Sequence, residues 1–62
     1  MRLEELRPYA IVRGVLPDTA VTVISVRWFG SDVLELTDKD AVGRVAQVLL
    51  YRGDEPRLEV EG

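Results

Sequence analysis

Two pairs of adjacent carboxylates, Glu4-Glu5 and Asp54-Glu55, are the first groups in this 62-residue chain whose types could do chemistry. A general acid and its base need a site that holds one carboxyl protonated and the other ionised. Adjacent carboxylates with no sign of a pocket around them read as solvent-facing. The segment DKDAVG, Asp38 to Gly43, opens like a calcium loop, with Asp at the first and third positions and Gly at the sixth. Val42 then holds the fifth position and Leu49 falls where a bidentate Glu belongs, so the segment reads as a hairpin turn. Ser25, Ser31, Thr19, Thr22 and Thr37 have no His to activate them, because the chain has none, and Lys39 in a turn is a poor base. With no Cys there is no thiolate metal site and no thiol nucleophile. No G-x-x-x-x-G-K-[ST] loop is present. The expectation is a non-catalytic chain with no metal, cofactor or small-molecule substrate.

One constellation survives: Tyr9, Trp28, Phe29 and Tyr51 with Arg13, Arg27, Arg44 and Arg52. In small barrels such residues can line a shallow groove for peptides, or for bases and phosphates. Seven of the eight basic residues are Arg, the better choice for bidentate contacts and for stacking on rings. Eleven acidic residues leave a net charge of −3, which works against simple sequence-independent binding to nucleic acid. Arg13, Arg27, Arg44 and Arg52 are therefore candidate nucleic-acid contacts only as an alternative reading.

Five short strands must position these groups. RLEELRP spaces Leu3 and Leu6 by three residues, and Pro8 forces Arg7 out of helical geometry, so one helical turn forms at most and plugs the end of the core. Ala10 to Val15 reads as a strand, followed by a turn at Leu16-Pro17-Asp18-Thr19. The strand Val21 to Phe29 changes phase: Val21 and Val23 lie on one face, Ile24, Val26 and Trp28 on the other, and a bulge near Ser25 reconciles them. Phe29 to Asp32 supplies a hairpin turn. Leu34 and Leu36 alternate with Val33, Glu35 and Thr37 in the third strand. In the fourth, Arg44 to Arg52, Ala46, Val48 and Leu50 face inward and Val45, Gln47, Leu49 and Tyr51 outward. GDEPR is a further turn, and the last strand carries Leu58 and Val60 inward. The expected core is Val12, Val23, Val26, Leu34, Leu36, Val48, Leu50, Leu58 and Val60. Strands of this length with turns at this spacing predict a single all-β domain over residues 1–62, an SH3-like five-stranded small barrel with a short N-terminal helical turn.

Three stretches, LEELRP, VRGVLPDTAVTVISVRWFGSDVLELT and GRVAQVLLYRGDEPRLEV, together resemble the N-terminal segment of large bacterial Swi/Snf-type helicases, which are DNA-dependent ATPases. The most specific pieces are V-x-W-x-G-S-D at Val26 to Asp32, L-L-Y-R at Leu49 to Arg52 and D-E-P-R-L at Asp54 to Leu58. Asp38, where that pattern has a bulky aromatic, and Tyr9 and Ile11, where it has small or polar residues, fit a divergent or engineered member. The resemblance implies an accessory module that docks on its own helicase body, guides DNA or contacts another subunit, and does not hydrolyse ATP. The SH3-like type II dihydrofolate reductases use a V-Q-I-Y strand, which Gln47 and Tyr51, four residues apart, do not match; a shared fold alone carries no function.

Three large apolar groups pointing outward from one strand exceed what solubility favours. The expected interaction surface is therefore Val45, Leu49 and Tyr51, with Ile11, Val33 and one of Trp28 or Phe29, since adjacent residues of a strand cannot both point inward. Its expected partner is a second copy of the chain or the remainder of a helicase. Uninterrupted apolar runs are too short to span a membrane, and the absence of Cys is compatible with a cytoplasmic protein.

Overall fold

The computed structural model describes residues 1–61. Its strands are β1 (Ile11–Arg13), β2 (Val21–Trp28), β3 (Val33–Lys39), β4 (Val45–Tyr51) and β5 (Glu59–Glu61), with 3₁₀ turns at Leu3–Glu5 and Arg52–Arg57. All neighbours are antiparallel, in the order β4-β3-β2-β1-β5. The sheet is open: β4 and β5 form its two edges and are not hydrogen-bonded to each other. The all-β class and five strands are as predicted.

The phase change in β2 is a real irregularity of register. Val23 faces Asp38 of β3 and Ser25 faces Thr37, leaving Ile24 as the extra residue. That one residue returns Val26 and Trp28 to the face of Val21 and Val23, opposite Leu36 and Leu34. β2 pairs with β1 through Val21 and Thr22 and with β3 from Thr22 to Trp28, so Thr22 is paired on both sides.

Leu3, Leu6, Val12, Val21, Val23, Leu34, Leu36, Leu50 and Leu58 are buried, with Val26, Val48 and Val60 packed partly buried against them. Leu3 and Leu6 come from the helical turn and belong to the core itself, as does Val21, which the expected core omitted. Ala46 departs from expectation in the other direction: it has the parity of Val48 and Leu50 but is exposed. Ala46 lies on the edge strand β4, opposite buried Asp38 of β3, and its open side has no covering strand among the described residues, so inward parity there does not mean burial. The segment GDEPR is a 3₁₀ helix rather than a simple turn. The Glu55 carboxylate accepts the Leu3 N–H at 2.8 Å, fixing this helix to the N-terminal one.

Asp38 and Lys39 belong to β3, not to the turn that follows. Asp40 organises that turn: its Oδ1 accepts the backbone N–H groups of Val42 at 3.0 Å and Arg44 at 2.9 Å, and Gly43 sits at φ +89°. Asp38 is the only buried charged residue among those described, and it shares a face with Leu36. Burial pushes its carboxyl above the ordinary value of 3.8, and the charge of Asp40 adds to this. A carboxylate raised in the folded state destabilises it at neutral pH, and this cost fades as pH falls toward 3.8. Asp38→Leu should therefore raise stability at pH 7 by about 0.5–2 kcal/mol. Urea melts from pH 7 to pH 4 should show the gap between the two proteins shrinking with acidity, and a gap independent of pH would refute the assignment.

Candidate interaction surface

The β3–β4 register decides which side chains meet on the outer face. Val33 lies opposite Tyr51, Glu35 opposite Leu49, Thr37 opposite Gln47 and Lys39 opposite Val45. Phe29 joins this face from the end of β2, where its N–H donates to Val33 O at 2.9 Å. Phe29, Leu49 and Tyr51 are 48%, 46% and 50% exposed, beside half-buried Val33. The Arg27 guanidinium covers the Phe29 ring at 5.2 Å from its centroid, a contact that holds the ring in place without removing it from solvent.

Trp28 and Phe29 thus divide between the two faces, and Phe29 is the outer one. Trp28 turns to the rim of the core, where with Leu3, Leu6, Gly30, Ser31, Glu4 and Arg52 it lines a hollow of about 300 Å³. Val45 continues the outer face along β4, separated from Leu49 by Gln47. Ile11 does not join them: Thr22 and Lys39 stand between it and Val45 in the sheet. Tyr9 is far more exposed, on a turn with φ +71° that opens into β1.

Arg52 is a hub that no local sequence pattern signals. It chelates the Glu4 carboxylate with two bonds of 2.7 Å, donates to Glu55 Oε2 at 3.1 Å and to Ser31 O, and lies 5.3 Å from the Trp28 ring centroid. The arrangement fastens the N-terminal turn, the β2–β3 hairpin and the second 3₁₀ helix together. The bidentate bond to Arg52 holds the Glu4 carboxyl down at about 2, and the Leu3 N–H, followed by Arg52, lowers that of Glu55. In return the carboxylates push the Arg52 guanidinium further toward its charged form. The paired carboxylates of the sequence are therefore structural: Glu5 accepts the Arg2 N–H at 2.7 Å, and Asp54 accepts that of Tyr51 at 2.9 Å while pairing with Arg57.

The four candidate arginines do not gather. Arg13 pairs with Glu61 at 3.0 Å, Arg52 is engaged in its hub, Arg27 lies over Phe29, and Arg44 stands at the opposite end of β4 from Arg52. A wider hollow of about 700 Å³ lies along the β1–β2 connection, lined by residues 13–20 and Arg57, with no cluster of catalytic groups. Among the described residues no group of acidic side chains is placed to hold a metal ion, and no helix is long and apolar enough to cross a membrane.

A family described as a domain of unknown function, DUF8742, matches residues 2–59. The chain belongs to DUF8742. No curated protein and no solved structure matches it. The DUF8742 span takes in the Arg52 hub and the whole Phe29, Val33, Leu49 and Tyr51 face.

Proposed function

We propose that this DUF8742 chain is a non-catalytic interaction module, one that self-associates or docks on the body of a larger Swi/Snf-type helicase. The observation that carries the reading is the outer face of Phe29, Val33, Leu49 and Tyr51. It is contiguous, apolar and aromatic, and lies on a sheet whose other face already supplies the core. The bulged β2 shared by two halves of the sheet, and the 3₁₀ helix before β5, support an SH3-like small barrel as the scaffold. The helicase connection rests on the sequence resemblance alone. DNA contact is the alternative, and it has less support, because Arg13 and Arg52 are already paired with carboxylates.

The test is the double variant Phe29→Ser, Leu49→Ser. Both side chains are half exposed, so folding stability should change by no more than about 1 kcal/mol, including the lost stacking on Arg27. Association, read by light scattering over a concentration series and by binding to the remainder of the parent chain, should weaken at least tenfold, as expected when about 1.4 kcal/mol or more is lost. Unchanged association, with salt-sensitive binding to duplex DNA, would replace this reading by the nucleic-acid one.

A further inference from the structure

The two edges of the sheet are guarded very differently. β5 is a three-residue strand carrying Glu59 and Glu61, and short charged strands resist pairing with another chain. β4 runs seven residues, VAQVLLY, with no charge, Pro or Gly. Among the described residues no strand lies against its outer edge.

The hydrogen-bond phase of β4 identifies the backbone groups that this edge presents. Asp40 N–H donates to Arg44 O at 2.9 Å and Arg52 N–H to Asp32 O at 3.2 Å, one at each end of an uninterrupted β3–β4 register. Bonded and non-bonded pairs alternate in an antiparallel ladder, so Ala46, Val48 and Leu50 bond to β3. The N–H and C=O groups of Val45, Gln47 and Leu49 therefore point away from the sheet. Tyr51 has the same phase, and its N–H is taken by Asp54 at 2.9 Å.

We infer that β4 pairs antiparallel with β4 of a second copy, in the register centred on Gln47. This rests on the interaction-module reading and names the partner. In that register Val45 exchanges backbone bonds with Leu49 of the second copy, Gln47 with its own counterpart and Leu49 with Val45. Every outward group of the three residues is satisfied, and Tyr51, already capped, is not needed. The contact is isologous, as a two-fold dimer requires. Ala46, exposed despite its inward parity, lies opposite half-buried Val48 of the second copy, and no charged residue of either strand is brought opposite another. The two five-stranded sheets become one, and their outer apolar faces become continuous through Val45 and Leu49. A second copy is favoured over an unrelated peptide because this one strand supplies both halves of the pattern.

Gln47→Pro tests the pairing. Its N–H points away from β3, so proline there leaves the internal ladder intact while removing an intermolecular donor and obstructing the neighbouring strand. The wild-type chain of 7.0 kDa should reach twice that mass by sedimentation equilibrium, and Gln47→Pro should weaken the dimer at least about tenfold with the β-sheet spectrum kept. A second readout does not depend on proline being tolerated. Gln47→Cys, the sole thiol in this chain, should form a disulfide-linked dimer under copper-phenanthroline oxidation. Ala46→Cys, offset from its counterpart beyond bridging range, should not. A wild type monomeric at all concentrations, or cross-linking through position 46 in place of 47, would overturn the inference. A dimer lost in Phe29→Ser, Leu49→Ser but kept in Gln47→Pro would overturn it too, while leaving the interaction-module reading in place. Failure of the reading itself shows differently, as association unaffected by the Phe29 and Leu49 changes.

Discussion

Gly14→Ala should leave the domain mostly unfolded at room temperature. Gly14 has φ +101°, a conformation that L side chains rarely adopt, and a Cβ there would lie 2.0 Å from Arg57 O and 2.9 Å from Arg57 C. Both are main-chain atoms, so no rotamer change relieves the clash; the end of the second 3₁₀ helix has to move. Leu58, which follows directly, is buried, and the next residues form β5, whose three pairs with β1 include Arg13 opposite Glu59. The Arg57 guanidinium also donates to Gly14 O, so the same displacement breaks that contact. Left-handed strain costs about 1–3 kcal/mol and overpacking a further 1–3. A domain of this size has little more than about 3–5 kcal/mol to lose. Far-UV circular dichroism during heating checks this, and a melting temperature within a few degrees of wild type would mean that the β1–β5 junction is not tightly fixed.

The stability at stake at that junction was invisible in the sequence, where Gly14 sits in an unremarkable V-R-G-V. Alternation, by contrast, carried much of the strand map. Leu34 and Leu36 announced β3, and the phase slip between Val23 and Val26 located the bulge, because a period of two leaves no other way to keep both residues on one face. Parity assigns a face but not a depth. Ala46 has inward parity and is exposed because β4 is an edge strand, whereas its partner Asp38, one strand further in and opposite buried Val23, is charged yet buried. For the same reason parity separated Trp28 from Phe29 but needed the bulge's position to say which one faces outward.

The candidate site divides along the same line. Val33, Leu49 and Tyr51 were legible because they sit on regular strands with known neighbours, and register alone then brings Phe29 to them. Ile11 has the right parity but lies on β1, with two strands between it and β4. As an arginine beside aromatic residues Arg52 is a candidate nucleic-acid contact in the sequence; in the fold its guanidinium is bound to Glu4, forty-eight positions earlier, and to Glu55 within its own helix. Ion pairs at that separation have no spacing signature, and the carboxylates that look like idle surface pairs in the sequence are the groups that fix the N-terminal turn over the core. As pH falls toward about 2, Glu4 and Glu55 take up protons and that fastening loosens, which opposes the gain from neutralising Asp38.

Leu36→Ala is the second large effect. Leu36 is fully buried at the middle of β3, between Val26 of β2 and Val48 of β4, so its side chain fills the space where three strands converge. Paired strands on both sides hold the backbone in place, which limits collapse around the cavity and puts the expected loss at about 2–5 kcal/mol. In a chain this small the variant should be largely unfolded before urea is added, with an unchanged slope if the transition stays two-state. Val48→Ala, a smaller truncation at a half-buried position, should cost less than Leu36→Ala. Both should be measured at several protein concentrations. If two β4 edges pair as inferred, the pairing adds a mass-action contribution to the stability of the folded chain, and raising the concentration should recover part of the loss in either variant. A loss that is the same at every concentration would assign the whole effect to the core of a single copy.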